Sequence, residues 1–144
     1  MLEIHSPARS TASTIIRGLV VFDSVALLVA SALHVAGARI PLGSAEFVEP
    51  QIVPAAVVEG LAGLLFVASA YAIFAGRSWA WPMTVGAHLF AIAGFLLGLW
   101  ATRFGTSPFN YGYHRVMLAL FVAGLVLLLL PIGRAALGRG NSPT

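Results

Sequence analysis

The chain has 144 residues, of which 59% are hydrophobic and 9% charged, with a formal net charge of +3. A soluble domain carries about one quarter charged residues, so a water-soluble globular fold is excluded. With no cysteine, disulfides, thiolate metal sites and CxxC redox chemistry are excluded too, and since all eight basic residues are arginine, so are Schiff-base and Walker A lysines.

The remaining class is an integral membrane protein. Apolar residues fall in runs of about twenty, the length that crosses a hydrocarbon layer of roughly 30 Å at 1.5 Å per residue. The arginines are scattered at the ends of these runs and form no stripe, so nucleic acid is not an expected partner. The lipid bilayer is. Arginine in place of lysine, with abundant alanine and glycine, fits a GC-rich bacterial genome.

Residues 1–14 are polar and aperiodic and are expected to form a short cytoplasmic tail. The first membrane helix is read from about Ile15 to Ala36, too long for the hydrophobic region of a signal peptide. A connection of about seventeen residues, Gly37 to Val53, follows. It exceeds the usual link between bundle helices. Ile40, Leu42, Phe47, Val48 and Ile52 are interleaved there with Arg39, Glu46 and Glu49, while prolines stiffen it. This predicts an ordered cap on the outer mouth, with Arg39 paired to Glu46 or Glu49, or else a plain interfacial loop.

The second helix is expected over 54–75, opened by Pro54 in its first turn and closed at Gly76. The very short turn at Arg77-Ser78 makes it antiparallel to a third helix over 79–101, flanked by Trp79, Trp81 and Trp100 as interfacial anchors. The fourth is expected over 112–132 after Tyr111 and Tyr113, and residues 133–144 as a second polar tail. Arg9, Arg17, Arg77, Arg134 and Arg139 fall on one side and Arg39, Arg103 and Arg115 on the other, which places both termini in the cytoplasm. Small residues recur at helical spacing, as in Ala87, Ala91, Gly94 and Gly98 and in Ala56 and Gly60. They let helices approach closely in lipid. The predicted fold is an all-α, four-helix, up-down bundle.

Polar groups inside the bilayer are costly and mark candidate sites. On these helix limits Asp23 and His88 lie within roughly 5 Å of the midplane, Glu59 roughly 8 Å outward, and His34 and His114 roughly 12 Å outward. Asp23 and His34 share one face of the first helix, being eleven residues and about 20° apart. Asp23 reads equally as a carboxyl satisfied by a neighbouring hydroxyl. His34, Glu59 and His114 are the candidate ligands of a b-type haem or a divalent metal, with Glu46 or Glu49 closing the site and Met117 offering a sulfur. There is no HxxxH, HExxH or paired ExxH, and the bland alternative is a hydrogen-bonded polar layer tying helix ends together. His88 with Asp23 forms a candidate proton path descending from Glu59. Its alternative is a neutral imidazole bonded to a neighbouring helix.

His34, Arg39-Ile40-Pro41-Leu42-Gly43, Glu49-Pro50, Pro54-Ala55, Val58-Glu59 and Tyr113-His114-Arg115 together resemble uncharacterised small four-helix membrane proteins of GC-rich bacteria. In size and helix count the chain is similar to the DoxX-like group. That resemblance implies a multi-pass protein of the bacterial cytoplasmic membrane with a redox or respiratory association, and no catalytic residue carries over from it. Three functions follow. The first is a metal- or haem-binding, redox-associated protein. The second is a non-catalytic accessory or scaffold subunit that meets other membrane subunits or a second copy of itself. The third is a small proton-coupled transporter built on Asp23 and Glu59. No nucleophile, base and orienting group recur at useful spacing, so an enzyme acting on water-soluble substrates is not expected.

Overall fold

The computed structural model describes residues 7–43, 45–48, 50–102 and 108–137. Its elements run α1 (Pro7–Ala36), β1 (Arg39–Leu42), β2 (Ala45–Val48), α2 (Val53–Phe74), α3 (Ala80–Thr102), α4 (Pro108–Leu129) and α5 (Pro131–Leu137). Four of these helices are long and apolar enough to cross a membrane, at Thr11–Ala36, Val53–Phe74, Ala80–Ala101 and Asn110–Leu129. The chain is a multi-pass, helical membrane protein.

The helices pack in a ring in which α1 lies along α2, α2 along α3, and α3 along α4. Direct contact between α1 and α4 is slight, and α5 closes the gap by packing against both. This is why helix extends into the first segment read as a tail. Ala12 and Ile16 in the early turns of α1 are buried, as are Ala136 and Leu137 of α5. Apolar contact at this end rewards order on both elements. Outward, Val25, Leu64, Leu97 and Val116 are each more than half exposed, as the lipid-facing side of a bundle requires.

Small residues set the spacing. A Cβ added at Gly63 would fall 2.8 Å from the side chain of Leu28 and 3.2 Å from its backbone nitrogen, so α1 and α2 are nearly in backbone contact there. One turn earlier, Ser31 Oγ lies over Gly60 and donates to the Ala56 carbonyl at 2.7 Å. The Ala56 and Gly60 pair thus works as expected from its spacing. Gly76, by contrast, is no part of a packing ladder. Its φ of +62° ends α2 and starts the turn to α3, a left-handed conformation open to glycine at little cost.

The connection between α1 and α2 forms a β-hairpin. Arg39 pairs with Val48 and Leu42 with Ala45 in antiparallel register, and Gly43 with φ +68° opens the turn. Among the described residues the two strands make few contacts with the helices. Arg39 does meet Glu46, at 3.8 Å, but with side chains 72% and 50% exposed the pair contributes less than about 1 kcal/mol. Glu49, the other expected partner, lies outside the described residues.

At the opposite end, α4 breaks at Leu130 before Pro131. A proline there removes one helical amide. The break leaves the Leu128 carbonyl to accept from Trp81 Nε1 at 3.0 Å, and the Arg134 guanidinium sits 4.4 Å above the Trp81 ring. Gly133 presses directly on the Leu127 carbonyl, where no Cβ fits. Gly133→Ala is expected to lift α5 from the bundle and lower stability in mild detergent by about 1–3 kcal/mol. Gly18→Ala, inside α1 where a Cβ meets nothing within 4 Å, is the control and should leave stability unchanged or raise it by up to about 1 kcal/mol in the same thermal melt.

Candidate polar cleft between the second and third helices

Five polar side chains expected inside the bilayer are all buried: Asp23, His34, Glu59, His88 and His114. They do not converge. They sort into one pair at the hairpin end, one pair in the middle, and a single histidine beside a cleft.

At the hairpin end His34 closes α1, and the base of the hairpin folds back onto it. Ile52 N donates to the His34 carbonyl at 3.2 Å and Gln51 Nε2 to the Val35 carbonyl at 3.0 Å. His34 Nδ1 faces the Pro50 carbonyl at 3.4 Å, which accepts when Nδ1 holds the proton. Its other nitrogen, Nε2, lies 3.5 Å from Glu59 Oε2. An imidazole that donates through Nδ1 presents a lone pair at Nε2. His34 and Glu59 thus face one another at the hairpin end, both buried.

In the middle of the bundle His88 Nδ1 donates to the Thr84 carbonyl one turn back at 2.7 Å, and Nε2 points at Asp23 Oδ2 across a 3.9 Å gap. Phe66 meets the imidazole edge-on at 4.9 Å. The other side is open only because Gly124 has no side chain: a Cβ there would lie 2.5 Å from Nε2. Asp23 Oδ1 and His88 Nε2 have no hydrogen-bond partner among the described residues.

His114 repeats the arrangement on α4. Its Nδ1 donates to the Asn110 carbonyl at 2.8 Å, and its ring lodges against Gly98, whose missing side chain admits it. Phe95 lies 5.2 Å away. From there Phe95 contacts Phe121 at 5.1 Å, and Phe121 stacks on Phe66 at 5.7 Å, so an aromatic spine connects His114 with His88.

Beside this spine a cleft of about 260 Å³ opens between α2 and α3. Its walls are apolar, with Pro54, Val58, Phe95 and Leu97 among them, and Glu59 and His114 line it as titratable groups. Gly94 and Gly98 form its back wall on α3.

This geometry does not fit the expected metal or haem. Among the described residues no three His, Asp or Glu side chains gather to hold an ion. Glu46 is on the hairpin with Arg39, and Met117 is buried in the apolar core, absent from the cleft lining. A haem between His34 and His114 needs both Nε2 atoms turned toward one iron. His34 Nε2 is turned to Glu59. Asp23 and His88, expected as neighbours on a proton path, do face one another, yet neither lines the cleft.

Sequence reasoning passed over Gly98, Gly124, Ser31 and the phenylalanine spine as parts of a site. Gly98 was legible only as a packing residue, and a carbonyl one turn back is offered at every helical position, so spacing alone gives no signal for Thr84 or Asn110.

Compared with protein-family models, with curated proteins and with solved structures, the chain matches none.

Removing one member of the central pair leaves the other buried and unmatched, a cost of about 1–3 kcal/mol. Asp23→Leu and His88→Phe are each expected to destabilise by that much in detergent melts. The double variant should recover at least half of the summed loss, which a double-mutant cycle reads directly.

Proposed function

We propose that the chain is a redox-associated membrane protein that binds a bilayer-soluble ring compound bearing hydroxyl or carbonyl groups, the quinol and quinone class, in the cleft between α2 and α3. The observation that carries this reading is the cleft itself: apolar walls within a membrane-spanning segment, with Glu59 and His114 as its titratable lining. Pockets for small ligands are mostly apolar with a few placed polar groups, which is this arrangement.

The chemistry follows from the hydrogen bonds. With Nδ1 donating to Asn110, His114 offers a lone pair at Nε2, suited to a ligand hydroxyl. Glu59 accepts from a second hydroxyl as carboxylate, or donates to a carbonyl when protonated. His34 lies behind it, with Nε2 at 3.5 Å from Glu59 Oε2. The ligand tail lies along lipid-facing side chains such as Leu97, which is 66% exposed.

The same reading places the protein in a bacterial cytoplasmic membrane, with the end that carries Arg17, Arg77 and Arg134 inside, and with other membrane subunits or a second copy as partners. A DoxX-like affiliation belongs to it and rests on size and helix count. The cleft favours this reading over a proton-coupled carrier built on Asp23 and Glu59, because Asp23 is 1% exposed and lines no part of it.

The test is a titration of the protein in nanodiscs with a short-tailed benzoquinol, followed by quenching of tryptophan fluorescence. Saturable binding is expected, weakened about tenfold in Glu59→Leu or His114→Ala, the loss of one good polar contact at 1.4 kcal/mol. Equal affinity in the variants and the wild type sinks the proposal. A haem band, or one transition metal per chain in protein from its native membrane, would do the same.

A further inference from the structure

The opposite end of the bundle holds a second cavity, of about 150 Å³, where α1, the turn between α2 and α3, and α5 come together. Arg17 and Arg77 both line it, with Ser13 beside them. Below the two guanidinium groups the floor is apolar and buried, formed by Ile73, Ala80 and Leu137.

Both cations are held by aromatic rings. Arg17 Cζ lies 5.5 Å from the Phe74 ring centroid. Arg77 Cζ lies 5.7 Å from that of Tyr71, and its Nη2 donates to the Tyr71 hydroxyl at 3.0 Å. A guanidinium laid on a ring keeps its remaining N–H groups fixed and available, so less side-chain freedom is lost on binding. The described carboxylates are occupied elsewhere: Asp23 with His88, Glu59 with His34 and Glu46 with Arg39. Two positioned arginines over an apolar floor, unmatched by a described acid, call for an oxyanion.

We propose that this cavity binds a phosphate group, with Arg17 and Arg77 as its ligands. Guanidinium forks match phosphate oxygens in pairs, and basic pockets between helices at a membrane surface bind acidic lipid head groups. A phosphoester of an anionic phospholipid fits both halves of the site: its phosphate meets the arginines, and its glycerol and chains continue past Phe74, which is 62% exposed. Free phosphate shares the chemistry of the head but uses none of the apolar wall.

The test weighs the intact protein with its bound lipids after release from nanodiscs made of equal parts phosphatidylcholine and phosphatidylglycerol. Phosphatidylglycerol is expected to be enriched at least about fivefold, the preference one surface arginine supplies. The enrichment should fall to parity in Arg17→Gln/Arg77→Gln and persist in Arg115→Gln. Arg17→Lys/Arg77→Lys, which keeps the charge and loses the forks, should lie between. A parallel melt in lipid-free detergent with inorganic phosphate separates the sources: a rise in Tm that the double glutamine variant loses assigns the cavity to free phosphate, and no rise assigns it to lipid. Enrichment that survives the double glutamine variant overturns the proposal, as does parity in the wild type without any response to phosphate.

Discussion

A carboxyl group and an imidazole face each other across 3.9 Å in the middle of this bundle, between α1 and α3, where the hydrocarbon offers no alternative partner. Asp23 and His88 need one another, and much of the surrounding packing follows from that need. The imidazole is turned by its bond to the Thr84 carbonyl, admitted by Gly124 and walled in by Phe66. A shift of α3 by one turn would bury both groups without partners. The contact therefore sets the register of two helices that are not neighbours in the ring.

The same requirement is met differently elsewhere. His34 faces the Pro50 carbonyl and Glu59, and Gln51 and Ile52 bond back to the end of α1, so the connection between α1 and α2 is tied down where it meets the bundle. His114 is satisfied by its own helix and lodged against Gly98. Each histidine is turned by a nearby carbonyl, of Pro50, Thr84 or Asn110, and among the described residues no three His, Asp or Glu side chains gather around an ion. What remains between α2 and α3 is an apolar cleft with two polar groups in its lining, chemistry suited to a lipophilic molecule with a polar head.

The two ends of the molecule divide the work of charge. Titratable pairs sit toward the hairpin end and in the centre, while the other end collects arginines over aromatic rings and is closed by α5. That short helix is held by Arg134 over the Trp81 ring and by burial of Ala136 and Leu137. It joins α4 to α1 and so completes the arginine-lined cavity. Function resides in these sites and not in the bundle, since one fold serves many functions.

Composition and run length alone were enough for four membrane helices, the tight turn at Gly76 and the burial of Asp23, His34, Glu59, His88 and His114, because the energy of moving a residue between water and hydrocarbon depends on its type and not on its neighbours. Helix ends were legible to within a few residues at α2 and α3, where Pro54 and Gly76 are local signals. The hairpin was not, since Arg39 to Val48 lacks a strong strand pattern and its pairing depends on the closure of its base by Gln51 and Ile52. Nor was α5, whose order comes from contact with α1, distant in sequence. Which polar groups meet was decided by the tertiary structure alone. Depth along the membrane put His34, Glu59 and His114 in one layer, but the direction in which each ring points depends on where a neighbouring helix carries a glycine and which carbonyl lies within reach, and those are facts of packing.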